Sequence, residues 1–448
     1  MVNPLLLPEL REMLAESNSA ELVEFCTALN AGRTAEFMEG LDDVDLWSVL
    51  QYADLDRRAE IFSYFDEQRQ VDLLQSQEPR EVATLVDRIA SDDRVDLIQQ
   101  LSPARVKAIL PLLPVEDRRD ILRLCSYEEG TAGALMTSEV AMLAESLTVS
   151  EALKELGKQA SELETIYYLY VVDNDNLLRG IVSTRQLVSS LSRTERTLGE
   201  MMETDVIVAE VDEDQESVAE KVERFNLLAI PVVDSGRQLL GIITHDDVID
   251  VVREELTEDA HRIAAVEPLE QDYLRIGLLT LSWKRGIWLI ILFFAALLTA
   301  FALEHYHEEL QNYIWLVSFI PLIISAGGNS GSQSATLVIT ALTGGQLELT
   351  DWRTVIQREI VVSCVLGVFL STIGYSVAIF MAPTPFAALV IPLTLLAVII
   401  VGCFFGAALP LIFQKLGLDP AMMSNPFVAG IVDILGIVIY INIARVML

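Results

Sequence analysis

Cysteine and histidine are scarce, with four of each in 448 residues, and Cys26, Cys125, Cys364 and Cys403 form no CxxC or Cys/His spacing. Zinc fingers and a disulfide scaffold are excluded as organising devices, and the thiols read as reduced and packed. Bases are also few, 31 Lys and Arg against 65 Asp and Glu, for a net charge of −34. That balance argues against nucleic acid as a partner, because phosphates demand basic patches. The start of the chain has no basic n-region and no long apolar core, so no signal peptide is expected there.

What is present divides sharply. Residues 271–448 hold 9 acids and 7 bases, net −2, leaving 56 acids and 24 bases, net −32, in residues 1–270. With 52% hydrophobic residues and a mean hydropathy of +0.40, the chain is too apolar for an ordinary soluble protein. A strongly acidic soluble half precedes a nearly neutral membrane half. Such a density of negative charge serves solubility, or a surface that meets cations.

Within residues 1–130 an acid–Arg–hydrophobic phrase recurs, as in Asp56-Arg57-Arg58-Ala59-Glu60-Ile61, Asp93-Arg94-Val95-Asp96-Leu97 and Asp117-Arg118-Arg119-Asp120-Ile121. Short Leu-Ser-Pro and Leu-Leu-Pro breaks separate the phrases. Apolar residues at helical spacing with helix-start prolines predict an all-α stack of short helices. Nothing there has catalytic spacing.

Residues 131–253 contain two copies of one α/β module, with a boundary near 195/196. Leu169 to Ser183 is echoed by Ile230 to Thr244, and Asp173-to-Gly180 has the spacing of Asp234-to-Gly241. Each copy has a Met start, an amphipathic helix, and two strands ending Gly-Ile-hydrophobic-Ser/Thr. The pattern resembles a tandem pair of CBS domains, regulatory modules that bind adenine nucleotides or ions. In such nucleotide sites a Gly-h-h-Ser/Thr-x-x-Asp ending supplies an acid for ribose. Thr244 and Asp247 match it, whereas the first copy has Ser183 but Gln186, so the resemblance implies at most one complete ATP half-site. From Asp246 the chain continues as a connecting helix assigned to 254–283. Asp247, Asp250 and Glu254 share one of its faces, where stacked like charges repel unless a cation or base relieves them.

Five segments, 286–303, 313–342, 360–382, 387–413 and 426–446, are long enough to cross about 30 Å of hydrocarbon. They make 284–448 a five-helix transmembrane domain. Lys284, Arg285, Arg353, Arg358 and Lys415 fall on one side and only Arg445 on the other, which puts the amino-terminal half in the cytoplasm and the carboxyl terminus outside. Asp433 sits in the middle of the fifth span. A carboxylate there costs at least about 2.5–3.5 kcal/mol and must face a bundle interior or a watery path. In the second span Asn329, Gln333, Thr336 and Thr340 fall on one helical stripe beside Gly327, Gly328 and Gly331. Glycines of this kind serve helix packing, and with the amides they suit a hydrophilic pore wall.

Asp433 reads as the one acid deep in a span, and a single acid per chain cannot build an oxygen cage. A symmetric homodimer would bring two together. A few oxygens holding a hydrated ion suit Mg²⁺, which sheds water reluctantly, better than Ca²⁺ or a transition metal. The order of domains then resembles the MgtE family of Mg²⁺ channels over nearly the whole chain. The matching residues are Tyr127-Glu-Glu-Gly-Thr-Ala-Gly133, Glu164-Thr-Ile-Tyr-Tyr, Thr257-Glu-Asp, Pro321 through Gly-Gly-Asn-Ser-Gly-Ser-Gln-Ser-Ala-Thr336, and Asp419-Pro through Ser-Asn-Pro to Asp433.

That resemblance implies a homodimeric importer in the bacterial cytoplasmic membrane. Its pore would select Mg²⁺ at Asp433, Asn425 and the Gly328 backbone, with Asp419 in the cytoplasmic vestibule. It also implies closure when cytosolic Mg²⁺ binds sensor acids, which map to Glu60, Asp92, Asp93, Asp214, Glu216, Asp247, Asp250, Glu255, Glu258 and Asp259. Asn226 stands where relatives can carry an acid. Transport of Mn²⁺, Co²⁺ or Ca²⁺ is the nearest alternative. An intramembrane aspartyl protease would need two acids at one depth with a Gly-x-Gly-Asp signature, and Gly-Ile-Val precedes Asp433. An anion transporter would need bases inside the spans. No enzyme activity is expected.

Overall fold

A computed structural model describes residues 5–160, 163–269 and 273–448. The chain forms two compact units, Met1–Val252 and Arg253–Leu448.

The first unit begins with ten short α-helices between Leu7 and Leu124, seven to ten residues each. The recurring arginines explain the repeat. Arg57 donates to the carbonyls of Cys26 (3.0 Å) and Leu29, Arg69 to Glu39 (2.6 Å) and Leu41, and Arg105 to Leu74 (2.6 Å) and Gln77. Each reaches back some thirty residues to satisfy carbonyls left open at the end of an earlier helix. The phrase is thus a stacking device.

The two α/β copies have matching sheets. In the first, β1 (Met142–Ala144) pairs parallel with β2 (Tyr168–Val172), which pairs antiparallel with β3 (Leu178–Ser183). In the second, β4 (Ala209–Glu210), β5 (Ala229–Val233) and β6 (Leu239–Thr244) repeat that order. The copies clasp each other reciprocally. Thr137, at the start of the first, exchanges backbone bonds with Ile242 of the second, and Glu203 of the second with Ile181 of the first. A Cβ on Gly241 would meet the Thr137 carbonyl at 2.4 Å, and one on Gly180 the Glu203 carbonyl at 2.6 Å. The repeated glycine is therefore the price of this close crossing. Asn226, at the left-handed end of the second copy's helix (φ 50°), is a residue type that tolerates this conformation, which accounts for an amide there.

Helix α1 (Ser91–Gln100) joins the helical stack to the α/β pair. The Ser91 hydroxyl meets Thr137 Oγ1 at 3.0 Å and accepts from Ser138 N, while buried Arg94 pairs with Asp117 (3.1 Å) and Glu139 (3.5 Å). After β6, helix α2 runs His245–Ile263 without a break. It ends well short of the expected 283. Ala265 adopts φ +58°, which no helix continues, and the following described residues are irregular until 278, with 270–272 outside the described set.

Among the described residues, the second unit contains five helices long and apolar enough to cross a membrane, as the hydropathy predicts. They are built on α3 (Leu278–His305), α4 (Ile320–Thr343), α5 (Trp352–Met381), α6 (Val390–Lys415) and α7 (Asn425–Met447). Gly327 and Gly331 of α4 lock against Gly402 and Gly406 of α6. A Cβ on Gly402 would lie 2.6 Å from the Gly327 carbonyl, and one on Gly406 2.2 Å from that of Gly331. Small residues four apart on both helices let the backbones touch. By contrast, no residue of α3 is fully buried within the chain.

Overpacking at this contact costs about 1–3 kcal/mol or more. Gly402→Val is therefore expected to lower the thermal midpoint of the detergent-solubilised protein by several degrees. Gly286→Ala, where a Cβ meets nothing within 4 Å, does not lower it.

Candidate cation path and acidic cluster

In the membrane unit, α7 packs on α4 through Val428 and Val432 and carries Asp433 on the turn that faces Gly328. A methyl group at Gly328 would stand 3.4 Å from Asp433 Oδ1 and 3.4 Å from the Ala429 Cβ. The bare backbone of Gly328 thus adjoins the carboxylate, the juxtaposition anticipated from the sequence. One turn further along α4, Ser332 donates to the Asn425 carbonyl at 3.1 Å, and a second turn on the Thr336 hydroxyl lies 3.1 Å from Asn425 Oδ1. Gly328, Asp433, Thr336 and Asn425 therefore lie along one α4–α7 seam. Asn329, Gln333 and Thr340 share the exposed side of α4, and Asn329 donates to Ser325 Oγ. Asp419, in the break between α6 and α7, accepts from Ala421 N at 2.7 Å and pairs with Arg262.

Asp433 is not the lone acid of the spanning helices. Glu359, one residue outside the predicted third span, lies in α5 and accepts a 2.7 Å hydrogen bond from buried Ser334 Oγ, which also lies 3.1 Å from the Cys403 carbonyl. Its position at the edge of the apolar run concealed it. Gly402 and Gly406 form a small-xxx-small pair in the fourth span, outside the polar stripe of the second.

In the soluble unit a second constellation forms where α1 meets the β6–α2 junction. Asp92 is buried, and its Oδ1 has no hydrogen-bond partner. Around it stand Asp93, Asp96, Glu164, Asp246 and Asp247, of which Asp93 and Asp96 reach solvent at the rim with protein crowding their other sides. Loss of water, then repulsion from Asp247, Asp93 and Glu164, raises the Asp92 pKa well above the carboxylate range. Desolvation and neighbouring acids push Asp96 and Glu164 to about 7 and Asp247 to about 6, the last held down in part by Thr244. An orphaned buried oxygen among repelling carboxylates fits a cation through charge and through the missing bond. Among the described residues, no three His, Cys, Asp or Glu converge tightly enough to cage a bare metal.

Of the predicted sensor acids, Asp92, Asp93, Asp247 and Asp250 come together here, since Asp250 also repels Asp93. Asp96 and Glu164 join them without having been singled out. Glu60 instead pairs with Arg57 on its own helix at 2.7 Å. Asp214 caps the helix Gln215–Phe225, in whose first turn Glu216 lies. Glu255, Glu258 and Asp259 belong to the later turns of α2, where Glu258 pairs with Arg262.

The anticipated nucleotide residues are engaged locally, with the Thr244 hydroxyl 2.6 Å from Asp246 Oδ1 and 2.5 Å from Asp247 Oδ2. An open cleft of about 400 Å³ lies mainly at the first copy, lined by Tyr167, Tyr168, Ser183, Arg185 and Gln186 with Glu203 of the second. There Gln186 donates to Glu203 at 2.7 Å.

Comparison with known proteins agrees with this layout. Family models match residues 29–130 (MgtE intracellular N domain), 132–193 and 198–254 (CBS domain), and 320–443 (MgtE, divalent cation transporter). The chain is similar to the magnesium transporter MgtE of Enterococcus faecalis, 34% identical over 97% of this chain and 95% of that one. Its similarity to the magnesium transporter MgtE of Thermus thermophilus is 38% over 72% of each. Among solved structures it resembles the soluble part of a magnesium transporter (TM-score 0.52, 33% identity, 55% of this chain and 97% of that one). It also resembles the cytosolic domain of the Mg²⁺ channel MgtE in complex with ATP (TM-score 0.51, 31% identity, 54% and 98%).

Carboxylates whose folded pKa is raised favour the folded state when protonated, and that contribution fades as pH rises through the raised values. Without divalent cations, hydrogen-exchange protection of α1 and the β6–α2 junction in the full-length protein should fall between about pH 5 and pH 8. Millimolar Mg²⁺ should restore it at pH 8 and add little at pH 5. Protection that rose with pH would contradict the crowding of these acids.

Proposed function

The chain belongs to the MgtE family of divalent cation transporters, and on that premise we propose that it imports Mg²⁺ through a pore shut by cytosolic Mg²⁺. The observation that carries this reading is Asp433 beside the bare backbone of Gly328, in line with Thr336 and Asn425. One carboxylate with carbonyl and amide oxygens suits an ion that keeps its inner waters. A homodimer supplies the second Asp433, and α3, none of whose residues is fully buried in its own chain, has apolar surface to give to lipid or a partner. Import runs down the electrochemical gradient across the bacterial cytoplasmic membrane, with the basic loop ends and the acidic half inside and the carboxyl terminus outside.

Closure uses the acidic cluster. Net −32 on residues 1–270 opposes compaction, and divalent ions among Asp92, Asp93, Asp96, Glu164 and Asp247 remove that penalty, favouring the compact, closed arrangement. Asp250, Glu255, Glu258 and Asp259 extend the sensor along α2. ATP occupies the first-copy cleft, where Tyr167 and Tyr168 offer a base-stacking surface and Arg185 a phosphate partner. The magnesium channel relative whose cytosolic domain was solved with ATP supports this ligand. Gln186 leaves the ribose without the acid that related CBS sites use, so Mg²⁺ remains the principal regulator.

Asp433→Ala is expected to abolish Mg²⁺ uptake in proteoliposomes at unchanged expression and folding, and normal uptake would sink the pore assignment. Neutralising Asp247, Asp250 and Glu258 together should keep patches conducting at millimolar internal Mg²⁺ that closes the parent channel. Unchanged block would remove these acids from the sensor.

A further inference from the structure

The last turn of α2 places a base where a cation would enter. Asp419 holds Ala421 N with Oδ1, at 2.7 Å, and so has one carboxylate oxygen, Oδ2, left for an ion. Arg262 takes that oxygen through Nη1 and pairs with Glu258, one turn earlier on α2, through Nη2. All three side chains are about two-thirds buried, with relative exposures of 35%, 28% and 28%. Asp259 adjoins the same group, hydrogen-bonded to Thr343 at the end of α4 and repelled by Asp419. Ile263 packs into the membrane core beside it, and the left-handed Ala265 turns the chain away immediately after.

We propose that Arg262 is a tethered cation that occupies the Asp419 oxygen and competes with the permeating ion for it. The inference rests on the reading of Asp433 and Asp419 as parts of one cation path. The physical basis is charge count. Glu258, Asp259 and Asp419 are three acids around one guanidinium, so without Arg262 the end of α2 would be repelled from the vestibule. With it, the helix end is held and the free oxygen of Asp419 is filled by a group tethered to α2. A divalent ion displaces the guanidinium only when it reaches Asp419 with greater charge. Conversely, Mg²⁺ bound at Glu258 or Asp259 releases the shared guanidinium wholly to Asp419. Sensor occupancy and pore occlusion thereby meet in one side chain, and Arg262 acts on permeation through Asp419.

The test is a double-mutant cycle on full-length protein in proteoliposomes, reading the initial Mg²⁺ uptake rate at low and at high internal Mg²⁺. Arg262→Gln should raise residual uptake at high internal Mg²⁺ by on the order of threefold, the size expected of a partly exposed ion pair. Arg262→Lys should retain most of the block. In an Asp419→Asn background, Arg262→Gln should add nothing, because its partner is already lost. Wild-type block in Arg262→Gln, or an equal increase in both backgrounds, overturns the proposal. Asp433→Ala separates the two readings. If that variant is inactive and Arg262→Gln behaves as the parent, only the tethered cation fails, whereas an active Asp433→Ala removes the path on which it rests.

Discussion

The contact between α4 and α6 governs the membrane unit. Because Gly327, Gly331, Gly402 and Gly406 carry no side chains, the two helices meet backbone to backbone. That contact sets the rotation of α4, so that Gly327 packs against Val398 and Val432 while the adjacent Gly328 turns to Asp433. A larger residue at any of these positions would separate the helices and take the polar edge of α4 away from α7. A membrane carboxylate is tolerable only with polar company, and here that company is backbone exposed by a missing side chain.

The soluble unit solves the opposite problem, an excess of like charge. Its arginines are spent on structure: Arg57, Arg69 and Arg105 on helix-end carbonyls, and Arg94 on the buried link between the helical stack and the α/β pair. They are therefore not available to neutralise the acids around Asp92. The acids around Asp92 repel one another, and the free energy of bringing them together depends on protons or metal ions in solution. Helix α2 starts among these acids at Asp246 and Asp247 and ends with Glu258, Asp259 and Arg262.

Much of this was legible without coordinates, for identifiable reasons. Membrane helices are long and uniformly apolar, and all five were readable. The duplication around Gly180 and Gly241 was visible because both glycines answer the same steric demand. Asp433 was conspicuous because a charge inside an apolar run has few explanations. Glu359 was missed because one residue placed it outside that run, although it bonds to Ser334 on another helix. That Asp96 and Glu164 join the acidic cluster was not legible, because both lie far from Asp247 in sequence.

Sequence alone determined the order of domains, the five spans, the asymmetry of charge and the seam residues Gly328, Asn425 and Asp433. Local composition and periodicity carry all of these except the grouping of Gly328 and Asn425 with Asp433, which the resemblance to the MgtE family implies. Tertiary structure decided which acids converge, that Glu60 pairs with Arg57, that the open cleft belongs to Ser183 and Gln186, and that Arg262 reaches Asp419. Each of those depends on side chains brought together across long stretches of chain or on the direction of one helical turn, and no local pattern encodes the meeting.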